Sequence, residues 1–228
     1  MKNILIHCAM QKEGKQIAKA LNLRKQANEE IQILKDNNKK VENNSTKSIN
    51  NFITVYSNNI SEEKNIKLNL IITGIGKQKT AIGLTKYLCE NDKPDLIINI
   101  GYAGSVNCKI GSFVSINKSY NLEWNIPGEQ KYSMNDLGGQ DLVTIDELEK
   151  LPCYSAECFV NSTDIKENVI FDMELHSVSL LADLYNIPLA SLKKVSDNLS
   201  MEDYYKTIDN SKLFELESSI KYIKKLMN

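Results

Sequence analysis

The chain has 228 residues, and its 28 Lys and Arg against 29 Asp and Glu give a formal net charge of −1. A near-neutral balance argues against a nucleic-acid-binding surface, which requires a basic stripe. No apolar run approaches the roughly 20 residues of a membrane span, and the N-terminus resembles a short strand rather than a signal peptide.

The cysteine and histidine content bears on metals and compartment. Five cysteines are scattered without a CxxC pair, and only two histidines are present. We therefore expect no metal site and no cofactor, and we expect reduced thiols in a cytoplasmic protein. The length suits one α/β domain with a full core, spanning residues 1–228.

The first third of the chain alternates apolar and polar segments. Residues 4–6 predict a strand and residues 13–23 a helix. Residues 37–51, rich in Asn, Lys and Ser, predict a surface loop. Residues 52–56 and 68–73 predict a pair of antiparallel strands.

The middle of the chain continues the alternation. Residues 78–90 predict a helix, and residues 96–100 and 112–117 predict strands. Residues 123–140 contain the single tryptophan and predict an irregular loop, and residues 146–150 predict at most a short helix.

The C-terminal third adds a helix over residues 175–185, a strand over 187–192 and a last helix over 212–227. In the last helix, apolar residues recur at helical spacing and form one buried stripe. Strands that alternate with helices along the chain indicate the α/β class.

Two acidic motifs stand out in this C-terminal part. Residues 171–174 (Phe-Asp-Met-Glu) open a predicted helix, and residues 195–197 (Val-Ser-Asp) close a predicted strand. In an open α/β sheet both positions face the crevice where ligands bind, and two carboxylates in different surroundings suit separate acid and base roles. The same acids also fit simple capping of a helix and a turn, so both interpretations stay open at this point.

The order of short motifs resembles the purine and uridine phosphorylase superfamily, and within it the 5′-methylthioadenosine/S-adenosylhomocysteine nucleosidases. Six motifs of that group occur in the same order, at residues 9–13 (A-M-x-x-E), 73–77 (T-G-I-G-K), 97–104 (I-I-N-x-G-x-A-G), 155–161 (S-x-x-x-F-V-N), 173–174 (M-E) and 196–197 (S-D). The resemblance is thin over residues 26–67 and 118–152.

This resemblance implies a single nucleoside phosphorylase-like domain with a mixed central sheet flanked by helices, a homodimer, and hydrolysis of the N-ribosidic bond of an adenine nucleoside. Asp197 then corresponds to the general acid toward purine N7, and Ser196 orients its carboxyl or the base. Glu174 corresponds to the ribose ligand, and Glu13 to the residue that positions the attacking water.

The resemblance also implies substrate-binding residues. Phe159 matches the aromatic that stacks on adenine, Val160 offers backbone groups to the base edge, and Met173 packs beside the ribose. Tyr102 stands where the nucleosidases usually carry a small hydroxyl residue. Lys193 replaces an arginine near the water-positioning glutamate, which keeps the charge and loses the planar fork.

Water is the favoured nucleophile. Phosphorylases of this superfamily bind phosphate with arginines at two positions, which here carry residues 9–13 and Asn99. The one arginine, Arg24, lies too far along the first helix, and Glu13 repels phosphate. The alternatives are a phosphate-dependent phosphorylase and a non-catalytic nucleoside-binding homologue.

Two further segments are interpreted from their residues. Residues 74–77 lack the P-loop pattern and predict a tight turn beneath the site. Trp124 either lines the pocket for the 5′ substituent or anchors its own loop. The substituent itself stays open among methylthio, homocysteinyl, hydroxyl and futalosine-like groups.

Overall fold

A computed structural model describes residues 2–26, 53–58, 66–132, 141–210 and 215–227. It has a mixed sheet flanked by helices, which confirms the α/β expectation. The predicted surface loop over residues 37–51 lies outside the described residues.

Nine strands form one sheet: β1 Lys2–Cys8, β2 Arg24–Lys25, β3 Thr54–Ser57, β4 Ile66–Ile72, β5 Leu96–Ser105, β6 Phe113–Asn121, β7 Glu149–Ser155, β8 Ile170–Asp172 and β9 Leu189–Asp197. Five α-helices are described: α1 Gln11–Ala20, α2 Lys77–Glu90, α3 Leu175–Leu184, α4 Met201–Asp209 and α5 Ile220–Met227. A short 3₁₀ turn, Glu217–Ser219, precedes α5.

The strand order is β2-β3-β4-β1-β5-β8-β7-β6-β9, with β9 returning to pair with β5. β1 is parallel to both β4 and β5, and β9 runs parallel to β5. β5 therefore has three partners, because its last residues also pair antiparallel with β8. The strands β5, β8, β7, β6 and β9 close into a ring beside the open part of the sheet.

The central strands form where the sequence has unbroken apolar runs. Ile4, Leu5 and Ile6 of β1 and Ile97 and Ile98 of β5 are all fully buried. Burial on both faces is typical of parallel strands covered by helices on each side. One hydrophobic cluster lies toward α1 and α5, and the other lies toward α2 and α3.

The antiparallel pairing predicted early in the chain is confirmed, since β3 pairs with β4 in that sense. Over residues 146–150, where the sequence predicts at most a short helix, no helix forms: this segment is a turn that leads into β7 at Glu149. Strand pairing of β7 with β6 and β8 outweighs the weak local helical preference.

The C-terminal helices also differ from the expectation. The helix predicted over 212–227 is observed only as α5, preceded by the 3₁₀ turn, and residues 211–214 lie outside the described residues. Helix α4 was not predicted. Its start carries a recognisable cap, because the Ser200 hydroxyl accepts from the Asp203 N–H at 3.2 Å.

Within the described residues, no helix is both long and apolar enough to cross a lipid bilayer.

Gly14 lets α1 lie close against β4. A Cβ at this position would lie 2.6 Å from Ile72 Cγ1 and closer still to Ile72 Cδ1. Gly14→Ala gains helix propensity of about 1 kcal/mol, but the overpacking costs roughly 1–3 kcal/mol. We expect a net loss of unfolding free energy in urea titrations.

Two variants serve as controls for Gly14→Ala. Lys15→Ala, at the neighbouring exposed position, removes no packing and should leave the stability nearly unchanged. Ile72→Val removes the crowding Cδ1 and should lessen the loss caused by Gly14→Ala. A Gly14→Ala variant more stable than the wild type would contradict this account of the α1–β4 contact.

Candidate active site

A cavity lies where β1, β5, β8 and β9 end. This is the edge where α/β sheets bind ligands, because loops and helix starts converge there. Eight of the nine residues predicted for the site line it: Glu13, Tyr102, Phe159, Val160, Met173, Glu174, Ser196 and Asp197. Lys193 is the exception and lies buried behind the lining.

Glu13 is held at the first turn of α1 by two backbone groups. Its Oε2 accepts from the Met10 N–H at 2.9 Å, and its Oε1 accepts from the Tyr102 N–H at 3.0 Å. The side chain is only 2% exposed, and burial raises the pKa of this carboxyl despite both hydrogen bonds. Glu13 thus serves as a helix-start cap and also presents a carboxyl to the cavity.

The end of β5 passes close to Glu13. A Cβ at Gly101 would lie 3.0 Å from Glu13 Oε1, so the absence of a side chain lets the strand approach the carboxyl. Tyr102 lines the cavity and packs into the core cluster on the α1 side. Burial, together with the charges of Glu13 and Glu215, raises the pKa of its phenol, which therefore stays neutral.

Glu174 lies directly before α3, and the start of α2 holds it from the opposite side. Its Oε1 accepts from the Gly76 N–H at 2.8 Å. Gly76 has a φ of +104°, a backbone conformation that glycine adopts freely. This residue is the N-cap of α2, so the N–H that binds the Glu174 carboxyl lies at the start of a helix. Burial, and then the charge of Asp172, raises the pKa of Glu174 to about 8.

Asp197 ends β9 and has a different environment. Its Oδ1 accepts from the Leu199 N–H at 3.0 Å, and its Oδ2 lies 2.7 Å from the Ser196 Oγ. Burial raises the pKa of Asp197, although these hydrogen bonds oppose the shift. The carboxyl is therefore biased toward the protonated form that a general acid requires.

The Ser196 hydroxyl lies within reach of two acceptors, Asp197 Oδ2 and the Ala103 carbonyl oxygen, the latter at 3.1 Å. A hydroxyl carries one hydrogen and can donate to only one of them at a time. A protonated Asp197 satisfies both, because it donates to Ser196 Oγ while Ser196 donates to Ala103.

Lys193 forms an ion pair with Asp172 instead of contacting the cavity. The distance from Lys193 Nζ to Asp172 Oδ2 is 2.7 Å, and both side chains are almost fully buried. Burial by itself raises the pKa of Asp172, but the Lys193 charge and three hydrogen bonds outweigh it, so the pKa of Asp172 is lowered. The charge predicted beside Glu13 is therefore held mainly by Asp172.

Phe159 and Tyr204 form an aromatic wall of the cavity. The Phe159 ring lies edge-on to Tyr204 of α4, with 5.8 Å between ring centroids. The Tyr204 hydroxyl lies 3.9 Å from the Met10 sulfur, so this ring closes the wall between Phe159 and α1. Such a surface suits a flat, weakly polar ligand.

Trp124 does not line the cavity. Its indole N–H donates to Glu129 at 3.0 Å, and its carbonyl accepts from the Tyr132 N–H at 2.8 Å. Of the two roles considered, the structure favours anchoring of its own loop.

The cavity lining is acidic. Among the lining residues in the described ranges, four are carboxylic acids and none is Lys, Arg or His. No group of three or more metal-ligating side chains is found in the same described residues. The cavity therefore suits a neutral or cationic ligand better than an anion.

Several lining residues had no role assigned from the sequence: Ile75, Cys158, Phe171, Asp172 and Tyr204. The acidic motif at residues 171–174 was a usable signal for Asp172, since it precedes Glu174 by two positions. Tyr204 carried no such signal, because α4 itself was not predicted.

The chain is similar in sequence and in fold to known proteins. The profile of the phosphorylase superfamily matches residues 3–157. A 5′-methylthioadenosine/S-adenosylhomocysteine nucleosidase of Desulfotalea psychrophila is 23% identical over 176 residues, covering 64% of this chain and 75% of that protein.

Solved structures share the fold. A 5′-methylthioadenosine nucleosidase of Arabidopsis thaliana superposes with a TM-score of 0.77 at 17% identity, over 100% of this chain and 96% of that one. A futalosine hydrolase mutant of Helicobacter pylori superposes with a TM-score of 0.73 at 14% identity, over 100% and 99%. The mixed sheet with flanking helices is therefore the fold of both enzymes.

The raised pKa of Glu174 predicts a pH dependence of stability. Between the unfolded pKa of about 4.3 and the folded value of about 8, the native state binds more protons than the unfolded state. The unfolding free energy therefore falls as pH rises through this window, by an amount on the order of a few kcal/mol. Glu13 and Asp197, whose pKa values are also raised, act in the same direction.

We expect Glu174→Gln to flatten this dependence in thermal unfolding followed by circular dichroism from pH 5 to 8. The control is Glu149→Gln, which changes an exposed carboxyl on β7 and should keep the wild-type slope. An unchanged slope in Glu174→Gln would show that Glu174 ionises normally in the folded protein.

Proposed function

This chain belongs to the phosphorylase superfamily, and we propose that it hydrolyses the N-ribosidic bond of an adenine nucleoside and releases adenine. One observation carries the proposal: the buried carboxyls of Glu13, Glu174 and Asp197 line one cavity together with Phe159. Two similar proteins support the same reaction class, because both are named as nucleosidases: those of Desulfotalea psychrophila and Arabidopsis thaliana.

Asp197 is the proposed general acid. Adenine is a poor leaving group as an anion, so the reaction needs a proton at N7 as the ribosidic bond breaks. Burial raises the pKa of Asp197, which favours the protonated carboxyl, and the Ser196 Oγ lies 2.7 Å from its Oδ2. Asp197 can then transfer this proton to the base and become a carboxylate.

Glu174 and Glu13 serve the ribosyl group and the nucleophile. The Gly76 N–H engages one oxygen of Glu174, so the carboxyl has an outer oxygen available to a ribose hydroxyl. A carboxyl oxygen near the ring stabilises the oxocarbenium ion that forms as the base departs, because this oxygen carries partial negative charge. Glu13, held by Met10 and Tyr102, orients a water and accepts its proton as the new C–O bond forms.

The base lies against Phe159 in this proposal, with Tyr204 closing the same wall. Val160 offers its backbone to the base edge, and Met173 packs beside the ribose. We propose that N7 of the stacked adenine faces Asp197 while the ribose contacts Glu174.

Water is proposed over phosphate because the lining described above contains acids and no cation. Phosphate carries up to two negative charges and needs donors such as arginine forks. The sequence-based expectation that Arg24 lies along the first helix is wrong, because α1 ends at Ala20 and this arginine lies on the exposed edge strand β2. A phosphorylase is the less favoured reading for this reason.

The finer properties are also proposals. We infer that methylthioadenosine or S-adenosylhomocysteine is the substrate, as in the names of the relatives, and that the protein takes part in methionine salvage. Five free cysteines support a reducing, cytoplasmic location. A homodimer is inferred from the resemblance alone, and sedimentation equilibrium would test it.

Release of adenine tests the proposal directly. We expect purified protein to liberate adenine from methylthioadenosine at a rate that does not depend on added phosphate, with S-adenosylhomocysteine, 5′-deoxyadenosine, adenosine and inosine ranking the substituents. The assay is chromatographic detection of free base. Phosphate-dependent release would instead identify a phosphorylase, and tight binding without release would identify a non-catalytic homologue.

Asp197→Asn tests the proton donor. The amide cannot supply the proton, so we expect kcat to fall by about 10²- to 10⁴-fold while nucleoside binding measured by calorimetry changes little. Asp92→Asn, at an aspartate with an 86% exposed side chain, is the matched control and should retain full turnover. Undiminished turnover in Asp197→Asn would remove the residue from the mechanism.

A further inference from the structure

Asp172 and Lys193 form a buried ion pair that the proposed reaction does not use. The Asp172 Oδ2 accepts from Lys193 Nζ at 2.7 Å and from the Leu175 N–H at 2.9 Å. The Asp172 Oδ1 accepts from the Ser155 hydroxyl at 2.5 Å. The side chains of Lys193 and Asp172 are 2% and 1% exposed, so water screens neither charge.

The hydrogen bonds of Asp172 fix the backbone on which Glu174 is carried. β8 ends at Asp172 and α3 begins at Leu175, so only Met173 and Glu174 lie between two anchored positions. Asp172 holds the first N–H of α3, and the Gly76 N–H holds the Glu174 carboxyl itself. The position of Glu174 therefore depends on Asp172.

The charges that face Glu174 come from three elements. Asp172 lies on β8, Lys193 on β9 and Glu13 on α1, and each acts electrostatically on Glu174. Cys153 of β7 and Tyr204 of α4 also face it, but their pKa values are raised and both stay neutral near pH 7. One lysine thus stands among three carboxyls.

Of these three carboxyls, Lys193 contacts only Asp172. In the described residues the pair is the one ion pair with both members buried, and no hydrogen bond joins Lys193 Nζ to Glu174 or Glu13. The Asp172 charge, which raises the pKa of Glu174, therefore has a larger effect on this carboxyl than the Lys193 charge, which lowers it.

We infer that the buried Asp172–Lys193 pair is a positioning pair for Glu174, which anchors the start of α3 and sets the charge with which Glu174 faces the ribose. The inference rests on the proposed function, since it concerns the residue that meets the sugar. Neither Asp172 nor Lys193 needs to touch the reacting atoms.

The titration behaviour of the two acids agrees with this arrangement. Burial is the largest single effect on Asp172, but the Lys193 charge and three hydrogen bonds together outweigh it and lower the pKa of Asp172, which is therefore ionised at neutral pH. Burial and the Asp172 charge raise the pKa of Glu174 to about 8, so Glu174 is mostly protonated at neutral pH. A protonated carboxyl offers the ribose one donor as well as acceptors.

The test changes each member of the pair and follows Glu174. Asp172→Asn keeps the shape and removes the charge, which frees Lys193 to act on Glu174. We expect the titration midpoint of Glu174 to fall by about one pH unit or more, a tenfold change in ionisation constant. Lys193→Met removes the opposing cation, and the upper titration of the Asp172 and Glu174 pair should move to higher pH.

The readout is ¹³C NMR of protein labelled at the glutamate δ-carbons, with the Glu174 signal identified by its loss in Glu174→Gln. The pH profile of kcat/KM should move in the same direction as the NMR midpoint in each variant. The double variant Asp172→Asn with Lys193→Met should return the midpoint toward the wild-type value. Ser155→Ala, which removes one neutral hydrogen bond from Asp172, is the matched control and should shift it much less.

The two single variants are expected to move Glu174 in opposite directions, so either one decides the matter if the other fails to fold. Midpoints that coincide with the wild type would overturn the inference. The NMR titration needs no turnover. A wild-type protein without hydrolytic activity would therefore refute the proposed function, while the midpoints still decide the role of the pair.

Discussion

The site depends on how the protein keeps several carboxyls away from water. Burying an unpaired carboxylate is strongly unfavourable, and the only buried counter-ion among the described residues near these acids is Lys193. The remaining acids are held by backbone N–H groups at the starts of helices and the ends of strands. Glu13 has Met10 and Tyr102, and Glu174 has Gly76. Raised pKa values follow from this shortage of cations, and they suit chemistry that needs a proton donor.

The shared use of β5 explains why these groups meet. β5 pairs with β1 on one side and with both β8 and β9 on the other, so the ends of three neighbours converge at one edge. A register shift after Ala103 brings Gly104 opposite Asp197. A Cβ at Gly104 would lie 3.0 Å from Asp197 Oδ1, so the glycine makes room for the proposed acid.

Much of the fold and of the candidate site could be predicted from the sequence, because both depend on short local sequence patterns. The unbroken apolar runs of β1, β4 and β5 identify central strands, and six ordered motifs place eight of nine expected residues around one cavity. Helix α4 escaped prediction because it is short and only Thr207 of it is buried, although Met201, Tyr204 and Ile208 recur along it at helical spacing. The partner of Lys193 also escaped, since it depends on the closure of β9 onto β5, and no spacing along the chain encodes that contact.

The single hydrogen of Ser196 has a consequence for repeated turnover. When Asp197 is ionised, the Ser196 hydrogen can serve either the carboxylate or the Ala103 carbonyl; when Asp197 is protonated, the acid can donate to Ser196 Oγ while Ser196 donates to the carbonyl. The orientation of one hydroxyl group is therefore coupled to the ionisation of the acid beside it. In the proposed mechanism, this hydroxyl reorients once in each catalytic cycle as the acid loses and regains its proton.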